Sequence, residues 1–185
     1  KPEEYGGYYQ WAGMQDVTST SINLYWDNCP YHTGSNNVTG WTKYVPSDKA
    51  SYWSGLGSPD DKTVLDSEDD VAHVKLGGKW RIPTDDEWME LIKNCTWTWT
   101  DNYNGTGVKG RIVTSKKAAY TGKSIFLPAA GFRYGDVLDG AGYGGYCWSS
   151  SLWTDDPPLA HNVGVSGGRY GNGRFKGLSV RPVTE

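Results

Sequence analysis

The chain has 185 residues, the size of one domain and enough to bury a core. Its net charge is −3 with 18 Lys and Arg scattered along it, which argues against a nucleic-acid binder, and no stretch approaches the roughly 20 apolar residues of a membrane-spanning helix. Leu, Ile, Val and Phe number only 10, 5, 13 and 3, but the low net charge argues against disorder, and 10 Trp and 13 Tyr supply the missing apolar mass.

In chain order, residues 5–12 (YGGYYQWA) read as an aromatic strand. Residues 13–64 are polar and rich in Gly, Ser and Asn, with Trp26, Trp41 and Trp53 spaced through them. That pattern predicts long ordered loops pinned by buried indoles. A first helix is expected over 67–77, capped by Ser67 or Asp66, with Val71 and Val74 on one face and Gly77 ending it. The second is the clearest local signal. Thr84 and Glu87 form a capping box after Pro83, and Trp88, Leu91, Ile92 and Cys95 follow on one apolar face.

Beyond residue 96 the period changes to two. Thr96-Trp97-Thr98-Trp99-Thr100 alternates as a half-buried strand does, and 102–107 reads as a turn. Further strands are expected at 110–114, 124–129, 146–150, 160–165 and 177–183. The class is α+β: two helices on small, mostly antiparallel sheets.

The last third differs in kind. Residues 131–185 hold 12 of the 25 glycines but only one Lys (Lys176) and one Glu (Glu185). Aromatics among small polar residues suit an antibody-like binding surface, and equally a Gly-rich loop region with no task.

Enzyme signatures match in letter and fail in context. Gly164-Val165-Ser166-Gly167-Gly168 fits G-x-S-x-G, but no helix pattern follows it. Gly140-x-Gly142-x-x-Gly145 fits the dinucleotide fingerprint without a surrounding βαβ unit. His32, His73 and His161 are far apart, and a calcium site from Asp60, Asp61 and carbonyls has little support. The three cysteines, Cys29, Cys95 and Cys147, allow one disulfide plus a free thiol, or no disulfide. Asp155-Asp156-Pro157-Pro158 reads as an exposed loop, solvated or tipping a binding surface.

Trp80–Thr100 (WRIPTDDEWMELIKNCTWTWT), with SIFLPAAGFR at 124–133, YCWSSSL at 146–152 and GLSVRPV at 177–183, resembles the Fibrobacter succinogenes major paralogous domain family. The resemblance implies a C-type-lectin-like fold of the formylglycine-generating-enzyme subtype, closed by pairing of 177–183 with a strand near Tyr8–Trp11. Some members are variable proteins of diversity-generating retroelements, and residues 134–176 look like their rewritten segment. Cys147 stands where the family often has Tyr, one adenine change away. The calcium-site motifs of sugar-binding C-type lectins do not occur, and formylglycine-generating enzymes use two C-terminal cysteines where this chain has Cys147 alone.

The expected function is therefore an extracellular ligand-binding domain of adhesin or receptor type, with no catalytic residue, metal or cofactor. Its partner would be a protein or glycan on a cell surface. It would belong to a bacterium, of gut-anaerobe type, or to a phage particle, with further N-terminal domains possible. The candidate binding residues are Asp139, Tyr143, Tyr146, Trp153, Asp155, Asp156, His161, Arg169, Tyr170, Asn172 and Phe175. The rivals are a pilus or phage-fibre subunit and a degenerate formylglycine-generating-type enzyme with Cys147 at the floor of a deep cleft.

Overall fold

A computed structural model describes residues 1–50 and 55–184. The fold is α+β, built mostly of small sheets with few helices. Five strands form the main sheet: β1 (Tyr8–Tyr9), β7 (Tyr146–Leu152), β8 (Leu159–Gly164), β9 (Arg169–Gly173) and β10 (Leu178–Ser179), in the order β1-β10-β7-β8-β9. Tyr8 pairs with Ser179 and Tyr9 with Leu178, so the expected closure of the two end segments occurs. Both strands are shorter than expected. Positive φ at Gly6 and Ala12 limits the extended run around β1. Beyond β10 the chain leaves the sheet, and Val183 bridges to Arg81 instead.

A second, antiparallel sheet holds β2 (Cys95–Thr100), β3 (Gly110–Ser115) and β4 (Ser124–Pro128). The alternation read from the sequence is real. Cys95, Trp97 and Trp99 share one face with Val113 and Arg111, while the threonines take the other. A hairpin of β5 (Phe132–Tyr134) and β6 (Val137–Asp139) was not expected; Gly135, at φ 56°, makes its turn.

Three helices occur among the described residues: α1 (Ser47–Ala50), α2 (Val71–Leu76) and α3 (Asp85–Asn94). The first lies in the stretch read as loop. The helix expected over 67–77 is broken, with a 3-10 turn at Ser67–Asp69 before α2. Its cap is Asp70, not Ser67 or Asp66. One carboxylate oxygen of Asp70 accepts from the amides of Ala72 and His73, the other from Ile82 at 2.7 Å. Val71 is buried but Val74 is 52% exposed, so the expected shared face is not used. Gly77, at φ 71°, ends the helix as expected.

The sequence reading of α3 holds. Thr84 and Glu87 cap each other, and Arg81 clamps Glu87 with two contacts of 2.7 Å, holding its carboxyl down at about 2. Trp88 is buried with its indole donating to the Trp148 carbonyl. Leu91, Ile92 and Cys95 pack against the same cluster, Cys95 as the first residue of β2.

The long loops are indeed ordered, although indoles are only part of the cause. Trp41 is buried, Trp26 half-buried, and Trp53 lies outside the described residues. Two fully buried arginines do much of the pinning. Arg133 donates to the carbonyls of Val17, Ser19 and Ile22. Arg174 donates to those of Lys43, Tyr44 and Pro157 and lies 4.0 Å from the Trp41 ring centroid. Burial lowers its pKa to about 10, which leaves it charged at neutral pH.

The acids read as possible calcium ligands also organise this region. Asp60 accepts from the amides of Tyr44, Val45 and Lys62, and Asp61 from that of Ser47. Asp66, Glu68 and Asp69 converge, but the Lys43 ammonium already sits among them at 2.5–3.2 Å. All three cysteines are free.

Candidate functional site

The hairpin of β8 and β9 is the outer edge of the main sheet, and its register divides the candidate binding residues between two faces. Val163 pairs with Arg169 and His161 with Gly171, on the side facing α3. Asn162 pairs with Tyr170 and Ala160 with Asn172, on the other side with Tyr146.

The α3 side is closed by its own charges. Arg169 donates to both carboxylate oxygens of Asp85, the first residue of α3, at 3.0 and 2.7 Å. It also reaches His161 Nε2 at 3.0 Å. His161 is buried and stacked on Trp153, centroids 4.7 Å apart. Burial, with help from the Arg169 charge, lowers its pKa against the pull of Asp85. Trp153 lies over Gly171, where any Cβ would collide with its ring. Asp155 is exposed and 3.4 Å from Lys49, whereas burial raises the pKa of Asp156. Pro157 and Pro158 are buried, so only the acidic start of the expected exposed loop is at the surface.

The opposite side is open. Tyr170 is 41% exposed and rests on bare backbone, because a Cβ at Gly164 or Gly168 would come within 2.8 Å of its ring. Its ring meets Tyr146 edge-on at 5.5 Å, and Tyr146 meets Phe132 in the same way at 5.5 Å. A polar chain runs alongside: Lys176 donates to Asn172, Asn172 to Asn162, and Asn162 to the Ala160 carbonyl. The result is an aromatic ridge with a hydrogen-bonding flank.

Each end of the ridge opens into a hollow. One, of about 400 Å³, is walled by Phe132, Tyr134, Val137, Asp139 and Lys176. The β5–β6 register places the first four on one side. Lys176 lies 5.2 and 5.6 Å from the Phe132 and Tyr134 centroids, and burial lowers its pKa. The other, of about 390 Å³, is bounded by Trp99, Arg111, Tyr143, Gly144, Gly145, Tyr146, Gly164, Val165 and Ser166. Tyr143 stands 85% exposed at its rim.

Of the eleven expected residues, Asp139, Tyr143, Tyr146, Tyr170 and Asn172 come together on this open side. Trp153, His161 and Arg169 form the closed cluster, with Asp155 and Asp156 on the loop beyond Trp153. Phe175 is a correction: it is 4% exposed and packs on Trp26 at 4.4 Å, in the core beneath Gly173. Trp99, Arg111, Phe132, Tyr134, Asn162 and Lys176 were not anticipated. The strict alternation of β2 put Trp99 on the same face as Trp97, and Arg111 joins that face only through its pairing with Trp99.

The enzyme-like motifs and Cys147 lie in different surroundings. Ser166 lies in the turn joining β8 to β9, its hydroxyl 3.2 Å from that of Tyr170. Cys147 is in the core with Trp88, Val113 and Leu127, and burial pushes its thiol up to about 11. It lines neither of the two hollows. No family model matches the chain, and it matches no curated protein and no solved structure.

Proposed function

We propose that this chain is an extracellular ligand-binding module of adhesin or receptor type, presenting the Tyr146–Tyr170 ridge and its two flanking hollows on a C-type-lectin-like scaffold of the formylglycine-generating-enzyme subtype. The observation that carries the reading is the exposed aromatic surface beside the two hollows. Tyr170 and Tyr143 leave ring surface facing solvent, 41% and 85% exposed. Such surface suits a partner. The pairing of β1 with β10 supports the scaffold assignment.

In this reading a diversified segment confines its variation to Asp139, Tyr143, Tyr146, Tyr170 and Asn172. Cys147, Trp148, Arg174 and Phe175 are buried and belong to the scaffold. A near-repeat of the coding segment, differing at template adenines and lying near a reverse-transcriptase gene, is the expected genomic mark; without it the diversified part of the reading fails.

The functional test is an array of glycans and surface proteins probed with the purified chain, then with a Tyr146→Ala/Tyr170→Ala variant of unchanged circular dichroism. The variant is expected to lose the ligands that the parent binds. Binding that survives both substitutions places recognition elsewhere, and a parent that binds nothing overturns the reading.

A further inference from the structure

The hollow between the two sheets has a property that the rest of the ridge lacks. On its wall is Arg111, held by a single hydrogen bond of 3.3 Å to the Trp97 carbonyl and lying 5.4 Å from the Trp99 centroid. Its Nε is buried without an acceptor, and among the described residues no carboxylate lies within 4 Å of it. Arg133, Arg174 and Arg181 also carry a buried nitrogen without an acceptor, but none of them lines this hollow. Arg81 and Arg169 grip carboxylates, Arg133 and Arg174 each hold three carbonyls, and Arg181 donates to the Glu4 carbonyl at 2.7 Å.

Asp101 accepts from the Trp99 indole at 3.0 Å and lies 3.8 Å from Lys109. Lys109 in turn sits 5.6 Å from the centroid of Tyr143. Arg111 thus lines a hollow walled by aromatic rings and glycine backbone, with Lys109 beyond it against Tyr143. Its volume of about 390 Å³ is within the usual span of small-ligand sites.

Each element selects a feature of the occupant. A guanidinium lacking a carboxylate partner takes a planar or tetrahedral oxyanion through paired N–H donors. The negative faces of Trp99, Tyr143 and Tyr146 favour the polarised C–H groups of a saturated ring. The Ser166 and Tyr170 hydroxyls at the edge offer both donors and acceptors to ring hydroxyls. We infer that the hollow walled by Trp99, Arg111, Tyr143, Tyr146 and Ser166 is a subsite for a sugar ring bearing a carboxylate or sulfate. This rests on the reading of the chain as a ligand-binding module and names the chemical class that one end of its face takes.

The test is calorimetric titration of the full chain with four probes: a glucuronate-containing oligosaccharide, a sulfated one, their neutral counterpart and an oligoglutamate peptide. At least one acidic sugar is expected to bind about tenfold or more tightly than the neutral one. The two acidic arms tell carboxylate from sulfate. That preference is expected to weaken with added salt, to vanish in Arg111→Gln and to return in part in Arg111→Lys, which also serves if the Gln variant fails to fold. Equal affinity for acidic and neutral sugars overturns the inference, as does a preference that survives Arg111→Gln. Oligoglutamate binding as tightly as the best sugar replaces the sugar with an acidic peptide and overturns it too. If no probe binds while the array still yields a Tyr170-dependent ligand, this inference fails and the binding-module reading stands; if the array is also blank, both fail.

Discussion

The two faces of the β8–β9 hairpin share one backbone, one glycine-rich composition and one stretch of sequence, yet they do opposite things. On the α3 side an arginine, an aspartate, a histidine and a tryptophan close on one another. On the ridge side an exposed Tyr170 rests against half-buried Tyr146, which meets half-buried Phe132, beside a chain of amides that runs inward to buried Asn162. A strand alternates its side chains, so residues adjacent in sequence, such as Arg169 and Tyr170, lie on opposite faces. Composition marks the segment, but only register says which of its side chains share a face.

That contrast can be broken by substitution. The largest effect is expected from Trp153→Ala, which uncovers His161 and Gly171: a loss of about 2–3 kcal/mol, at or below the low end for a fully buried indole, read from urea unfolding. Ligand binding should change little. A variant of unaltered stability that has lost binding would return Trp153 to the binding face. Asp85→Ala is expected to cost about 1–2 kcal/mol, because it strips Arg169 of a carboxylate 13% exposed and removes an acid from the first turn of α3.

The third effect depends on pH. His161 is held neutral in the fold by burial, so its folded pKa lies below the ordinary 6.5. Stability from this group is complete above 6.5 and is lost as pH falls from there through the folded value, since the unfolded chain takes up the proton first. The urea midpoint should therefore drop between pH 7.5 and 5.5, and His161→Gln should flatten that drop. Glu87, depressed to about 2 by Arg81, acts in a separate window: its contribution is full above about 4.5 and is lost as pH approaches 2. The smallest effect on stability, under about 1 kcal/mol, is expected from Tyr170→Ala. Yet this variant should weaken ligand binding about tenfold or more. A large loss of stability here would mean that the ridge is a packing surface after all.

Much of the fold was legible where local chemistry is strong. The Thr84–Glu87 box, the Trp88 face and the alternating Trp97 and Trp99 each depend on neighbours within a few residues, and each appears as read. The closing pair of β1 and β10 came from resemblance, and the pairing is present. The misses have a common cause. Asp70 replaces the expected caps because Asp69 is drawn to Lys43, Tyr31 and Tyr44, all distant in sequence. Strand β9 (RYGNG) has no residue of strong strand preference besides Tyr170 and exists because β8 offers it a partner. Phe175 looked like a surface anchor because its neighbours are glycine and charged residues; in fact Gly173 leaves the space its ring fills, and Arg174 beside it is buried.

The closing pair also sets how the domain bears load. Residues leading into β1 and out of β10 leave the sheet at the same end, since Tyr8 lies opposite Ser179. A tension applied between them acts along the hydrogen bonds of an antiparallel pair and loads them one at a time, like a zipper, instead of all together in shear. The first restraints to yield are the Arg181–Glu4 contact and the Arg81–Val183 bridge, both outside the pair. Tyr170 stands on the far edge of the same sheet, three strands from β10, so the ends can peel before that edge is disturbed, whereas Tyr146, on β7, sits next to β10.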